Sequence, residues 1–296
     1  MTKTIRIIGI PIDLGQSQRG VDMGPSAIRY AGLSARLKSL GYRLHDSGNL
    51  YVPVRDALPG AITNDFLAAI RQVCQTTYEA ASQAVKDGEL PLFLGGDHSL
   101  AIGSIGGVTS RQPVGVIWVD AHGDANSPHT TPSGNIHGMP LATLLGEGFP
   151  ELVNIGRPGA KLSGRDVVMI GVRELDGGER RWLKQSGVRV YTMRDLDERG
   201  MGVVAREALG CLQDHHRLHV SLDMDSLEPN EAPGVGTPSH GGLSYREAQL
   251  LMETVADSGR LASVDIVEIN PILDLENRTA EIAVELVLSL FGKSIL

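Results

Sequence analysis

The sequence predicts an α/β fold: a single domain over residues 1–296, with a mostly parallel central β-sheet and helices on both faces. Two observations predict it. Short, nearly continuous apolar runs recur along the chain, the pattern of strands covered on both sides, and stretches with helical apolar spacing separate them. Polar clusters also stand at the ends of several runs, and the carboxyl ends of strands are where open α/β sheets bind ligands.

Taken in order, Ile5–Ile12 is the first run, interrupted by Arg6 and ended by Pro11 and Asp13, which fits a strand and not a signal peptide. A Gly-rich loop leads through Pro25-Ser26 into a helix near Ala27–Leu40, stopped by Gly41. Tyr42–Leu44 reads as a short strand, and Asn49–Ile62 as a loop punctuated by Pro53, Pro59 and Gly60. Apolar residues at helical spacing fill Asp65–Lys86, with Asn64 as a cap and Gly88 as a stop. Leu90–Leu94 is a strand, a Gly-rich segment with apolar spacing follows, and Val114–Val119 is the next strand. The alternation then continues through Asp166–Gly171 (strand), Gly178–Gln185 (helix), Val188–Tyr191 (strand) and Val203–Leu212 (helix). Leu218–Leu222 (strand), Tyr245–Ser258 (helix, with Ser244 as its cap), Val264–Ile269 (strand) and Glu276–Leu290 (helix) complete it.

Composition narrows the function. A formal net charge of −8 disfavours polyanionic partners, and no Lys/Arg cluster is dense enough to track a phosphate backbone, so nucleic acid is not expected. No apolar run approaches the roughly 20 residues that span a bilayer, so no membrane association is expected either. Without an export signal, and with only Cys74 and Cys211, the cytoplasm is the expected compartment and both thiols read as structural.

The chemistry is concentrated in three segments, each at the end of an apolar run: Gly95-Gly96-Asp97-His98, Asp120-Ala121-His122-Gly123-Asp124 and Asp223-Met224-Asp225. Each alone has an ordinary structural use, as a turn or a helix cap. Together they bring His98, Asp120, His122, Asp124, Asp223 and Asp225 to one edge of one sheet. Residues two apart on a strand share a face, so Asp120 with His122, and Asp223 with Asp225, can face one site if the backbone stays extended. Four carboxylates so close repel unless neutralised, and two divalent ions would balance them. Oxygen-rich ligation with some imidazole and no thiolate suits Mn²⁺. Two such ions can share a water and lower its pKa, which points to hydrolysis.

These segments, with Ser99 and Ser221 at their margins, resemble the three signature motifs of the arginase/ureohydrolase superfamily, in the same order and with fitting separations. Gly20-Val21-Asp22-Met23-Gly24-Pro25 is similar to a further loop of that family, so the resemblance covers nearly the whole chain. It implies a three-layer α/β/α fold and two Mn²⁺ per subunit. One ion would be held by His98, Asp120, Asp124 and Asp223, the other by Asp120, His122, Asp223 and Asp225. The implied reaction is hydrolysis of L-arginine to L-ornithine and urea, by attack of a bridging hydroxide on the guanidinium carbon, with Asp124 counted among the catalytic groups. Glu268 matches the position that holds the guanidinium, and His137 the histidine that carries protons to the leaving amine.

The loop from Asn126 to His137 resembles the one that reads the α-carboxylate in arginases: Asn126 and Ser133 as direct donors, Thr131 and Asn135 assisting. Asp176 and Glu179 match α-ammonium contacts, and Thr237 a position lining the pocket. An agmatinase or guanidinobutyrase would not need this set, a related deacylase would not need His122 and Asp225, and a non-catalytic arginine-binding regulator would be expected to have lost ligands. The family also implies a homotrimer or homohexamer. His129 and His240 read as surface positions, Glu228 as lying outside the ligand set, and His215, His216 and His219 as helix-end or core residues.

Overall fold

Eight runs become strands, all paired in parallel: β1 (Thr4–Ile10), β2 (Arg43–Asn49), β3 (Leu90–Gly95), β4 (Gly115–Val119), β5 (Val167–Val172), β6 (Arg189–Thr192), β7 (Leu218–Asp223) and β8 (Leu261–Val267). The structure, a computed structural model, describes residues 4–59 and 65–294. The strands form one sheet in the order β2-β1-β3-β8-β7-β4-β5-β6. β3, β4, β5 and β7 are buried at every position; β3, β4 and β5 accordingly read as unbroken apolar runs, whereas β7 carries buried His219 and Ser221 between its apolar residues. Edge strand β2 is mostly exposed and polar, and only its first residues, Arg43 and Leu44, fall within the expected Tyr42–Leu44.

Helices cover both faces. Ile5, Ile7, Leu92, Leu94, Val220 and Leu222 pack with α1 (Gly24–Tyr30), α2 (Leu33–Ser39), α9 (Met201–Cys211), α10 (Tyr245–Asp257) and α11 (Arg278–Leu290). On the other face, Ile8, Ile10 and Phe93 meet α3 (Leu67–Lys86), while Val116, Trp118 and Met169 meet α4 (Ala101–Val108), α5 (Pro140–Leu144) and α7 (Gly177–Ser186). Alternate residues of one strand thus feed two cores, as the pleat requires.

The single helix expected over Ala27–Leu40 starts earlier and is divided into α1 and α2 at Gly32, whose φ of +85° no continuing helix tolerates. Four helices were not anticipated: α4, where only a Gly-rich segment with apolar spacing was expected, α5, α6 (Pro150–Val153) and α8 (Met193–Arg199). The last has a capping box between Thr192 and Asp195. The expected Ser244 cap is present, paired with Glu247. Within the Asn49–Ile62 loop one 3-10 turn forms at Arg55–Ala57; the proposed Asn64 cap and the end of that loop lie outside the described residues. Among the described residues no helix is long and apolar enough to cross a membrane.

What matters for function is adjacency. Strands β3, β8, β7 and β4 are neighbours, and their carboxyl ends lead directly into His98, Glu268, Asp223 with Asp225, and Asp120 to Asp124.

Candidate metal centre

The end of β3 is held against β1 by backbone bonds from Gly96 to Ile10 and from Asp97 to Ile12. A Cβ on Gly96 would sit 1.8 Å from the Ile12 carbonyl oxygen, so only glycine permits this approach. Asp97 caps the short turn that carries His98, accepting from the Ser99 amide at 3.0 Å. His98 is buried, stacks on Trp118 with ring centroids 4.4 Å apart, and its Nε2 bonds Ser221 Oγ at 2.9 Å. That bond turns Nδ1 towards the acids.

Nδ1 of His98 lies 2.9 Å from Asp124 Oδ2, 3.1 Å from Asp223 Oδ2 and 3.3 Å from Asp120 Oδ2. A second group forms around Asp120: His122 Nδ1 lies 3.0 Å from Asp225 Oδ2 and 3.5 Å from Asp120 Oδ1. His98, Asp120 and Asp223 make one donor set and Asp120, His122 and Asp225 another, with the ligand atoms of each within 4.8 Å of one another. Asp120 belongs to both. All six residues expected as metal ligands are therefore brought together.

The donors fit a cation by a direct test. His98 Nδ1 and Asp124 Oδ2 are buried and face each other, yet neither has a well-directed hydrogen bond among the described residues. Buried polar atoms normally find a hydrogen-bond partner, so this pair is left free to take a cation. Burial, with the charge of Asp120, pushes the Asp124 carboxyl up to about 7, and burial with Asp225 and Asp120 raises Asp223 well above the carboxylate range. A cation removes that conflict.

Backbone geometry departs from the extended form that the spacing assumed. Asp225 lies in a 3-10 turn, Met224–Ser226, and Asp124 has φ +48°. The candidate ligands converge through these turns: the Asp225 amide donates to Asp223 Oδ1 at 2.9 Å, and the His122 amide to Asp120 Oδ1 at 2.7 Å. A non-glycine residue at positive φ is held there by its surroundings, and Glu268, at +66°, is another.

Glu268 is buried and accepts from Gln16 Nε2 at 2.6 Å, from the His98 amide at 2.8 Å and from His137 Nδ1 at 3.0 Å, which leaves one of the roughly four lone-pair positions of a carboxylate. Burial opposes the charge on His137, but the Glu268 carboxylate outweighs it and, with Asp124 and Asp97, raises the imidazole to about 9. The His137 amide donates to the Gly15 carbonyl at 2.9 Å, and the Gly15 amide to Asp97 Oδ2 at 2.8 Å, so the loop after β1 ties His137 to the turn bearing His98.

The polar loop after Asp124 is internally bonded. Asn126 Nδ2 donates to Asp176 Oδ2 at 3.0 Å, joining a residue expected to bind carboxylate to one expected to bind ammonium. Ser133 and Thr131 hydroxyls lie 3.4 Å apart near the surface, and Asn135 Oδ1 accepts from Ser17 Oγ at 3.2 Å. Glu179 is buried, and its two carboxylate oxygens accept from the Ala125 and Asp176 amides at 3.1 and 3.0 Å. It forms a capping box with Asp176 at the start of α7 and braces the loop. Thr237 Oγ1 donates to Asp225 Oδ2 at 3.0 Å.

Of the remaining histidines, His129, His216 and His240 are exposed, His215 meets Asp166 at 3.1 Å, and buried His219 meets Ser263 Oγ at 2.8 Å. Glu228 accepts from the Gly241 and Gly242 amides, away from the ligands. Cys74 is buried and donates to the Ser99 carbonyl, whereas Cys211 is exposed.

Sequence reasoning missed Gln16, Trp118 and Arg173 and gave no role to Ser221 or Asp97. Ser221 stood two residues before Asp223 on a strand, so its shared face was available as a signal; Trp118 stood likewise before Asp120, to which its Nε1 donates at 2.9 Å. Gln16 and Arg173 carried none, since only the tertiary structure brings them to the site.

The fold and site define a class: a parallel α/β sheet whose carboxyl edge gathers two overlapping sets of imidazole and carboxylate donors. Comparison with known proteins gives the family. The Arginase family model matches residues 3–292. An arginase from Bacillus subtilis is 49% identical over 100% of both chains. The solved arginase of Bacillus caldovelox superposes with a TM-score of 0.96 at 47% identity over 100% of both chains, and that of Bacillus cereus with 0.94 at 44% identity over 99% of this chain and 100% of that one. The chain belongs to the arginase family.

Proposed function

We propose that the chain is an arginase, hydrolysing L-arginine to L-ornithine and urea with two Mn²⁺ ions held by His98, Asp120, His122, Asp124, Asp223 and Asp225. The observation that carries the reading is the sharing of Asp120 between two donor sets, in a chain similar over its full length to curated arginases. Once bound, the cations supply Lewis acidity that makes water nucleophilic near neutral pH. The other tasks fall to the chain. Asp124 accepts a hydrogen of the attacking water and so fixes its direction. Glu268, buried and aimed by Gln16 and the His98 amide, offers a carboxylate to the planar N–H fork of the guanidinium. His137, charged at neutral pH, gives its proton to the leaving amine, which converts a poor leaving group into a good one.

Asn126 and Ser133, with Thr131 and Asn135, donate to the substrate carboxylate. Asp176 accepts from its ammonium, with Glu179 setting the position of Asp176, and Thr237 steadies Asp225. The chain works in the cytoplasm as a homotrimer or homohexamer. The test is urea release from arginine, agmatine and guanidinobutyrate by the Mn²⁺-loaded protein. Arginine is turned over far faster than the other two, and Ser133→Ala lowers kcat/KM for arginine by about tenfold, the loss of one hydrogen bond to a charged group. Equal rates on arginine and agmatine would contradict the substrate assignment.

A further inference from the structure

Arg173 stands just past β5, outside the ligand set, and its side chain makes six hydrogen bonds, all to backbone carbonyls. Nη2 donates to Asp225 O at 2.7 Å, Ser239 O at 2.7 Å and Leu227 O at 3.3 Å; Nη1 to Ser226 O at 3.1 Å and Gly171 O at 3.2 Å; Nε to Ser239 O at 3.3 Å. It forms no ion pair within 4 Å among the described residues. An arginine spent wholly on carbonyls is a structural fork: its planar donors fix the relative positions of the segments they bridge.

Those segments converge on one ligand. The 3-10 turn Met224–Ser226 carries Asp225 itself. The segment ending at Ser239 includes Thr237, whose hydroxyl donates to Asp225 Oδ2. The Arg173 amide donates to Ala121 O at 2.9 Å, and the Ala121 amide donates to Asp225 Oδ1 at 3.3 Å. Both oxygens of Asp225, and its backbone, are thus placed by groups that Arg173 holds. By contrast, in the first donor set His98 is set by Ser221 and Trp118 and Asp120 Oδ2 by Trp118, and only Asp223, which accepts from the Asp225 amide, is linked to the turn that Arg173 holds.

We propose that Arg173 is a positioning residue acting chiefly on the second cation, the one bound by His122 and Asp225, with a smaller part in binding the first. The proposal rests on the two-cation reading above. The positive charge also offsets the acidic cluster, but charge alone would serve both ions alike, whereas the hydrogen bonds bear on both oxygens and the backbone of Asp225 and reach the first donor set only through the single bond from the Asp225 amide to Asp223 Oδ1.

The experiment is stepwise Mn²⁺ titration of the metal-free full chain, followed by isothermal calorimetry and by electron paramagnetic resonance, which separates isolated from spin-coupled Mn²⁺. Arg173→Lys keeps the charge but cannot reach all the carbonyls. It weakens the second binding step on the order of 10–100-fold, as loss of an outer hydrogen-bonding partner does, and leaves the first within a few-fold. The resonance then changes from coupled pair to isolated ion at one equivalent. Thr237→Val, which removes only the hydroxyl bond to Asp225, gives a smaller selective loss and tests the same line even where Arg173→Lys folds poorly. Equal weakening of both steps, or no change in either, in both variants overturns the clamp. A wild-type chain that binds fewer than two ions instead refutes the two-cation reading.

Discussion

At the scale of single residues, the site gathers buried polar atoms that lie close together without forming well-directed hydrogen bonds. His98 Nδ1 and Asp124 Oδ2 are the clearest pair, and both residues were legible because three such segments recur at the ends of apolar runs, although each alone has an ordinary structural use. Residues that orient them were less legible: Ser221 and Gln16 are common polar types with no sequence marker of a partner 123 or 252 positions away. His137 gives a prediction with a definite sign. Its folded pKa, about 9, is above the ordinary 6.5, so the folded state binds the extra proton and gains stability. That gain is complete below pH 6.5 and lost as pH rises through about 9. On the metal-free chain, His137→Asn therefore costs most stability below pH 6.5, and the gap from wild type narrows towards pH 9, as urea denaturation at a series of pH values would record. A gap that widens with pH would contradict the assignment of a charged His137 bonded to Glu268.

At the scale of elements, strands were read well and short helices poorly, for a physical reason. A strand buried on both faces is largely apolar, so β3, β4 and β5 announce themselves, and β7 does so despite His219 and Ser221, which hydrogen-bond Ser263 and His98. Helices of five and four residues, such as α5 and α6, are too short to show a period, and tertiary packing decides them. The ligand pairs were placed on one face by assuming continued strand geometry; turns at Met224–Ser226 and at Asp124 in fact produce the convergence. Turns of this kind require close backbone approach, and Gly96 is the most exacting case. Gly96→Ala forces Ile12 and the His98 turn apart and costs about 2 kcal/mol or more in folding free energy, measurable by chemical denaturation. Unchanged stability would show that the β1–β3 junction yields more easily than its contacts imply.

At the scale of the whole molecule, strand order converts four distant segments into one site. Because β8 and β7 lie between β3 and β4, residues from position 98 to position 268 meet at adjacent strand ends. An all-parallel sheet puts every carboxyl end on the same edge, so the alternating pattern alone located the site, although it could not supply the strand order. The polar loop after Asp124 is tied to the start of α7 through Asn126, Asp176 and Glu179, and four of the acids behind the net charge of −8, Asp120, Asp124, Asp223 and Asp225, converge at that edge. The central claim is that this edge holds two cations that together perform hydrolysis. Its most direct test is urea production from arginine, followed while Mn²⁺ is added to the metal-free chain and its bound metal is counted. The account predicts that activity rises with the second equivalent and levels off at about two ions per chain; full activity in the metal-free chain, or none at two ions bound, would contradict it.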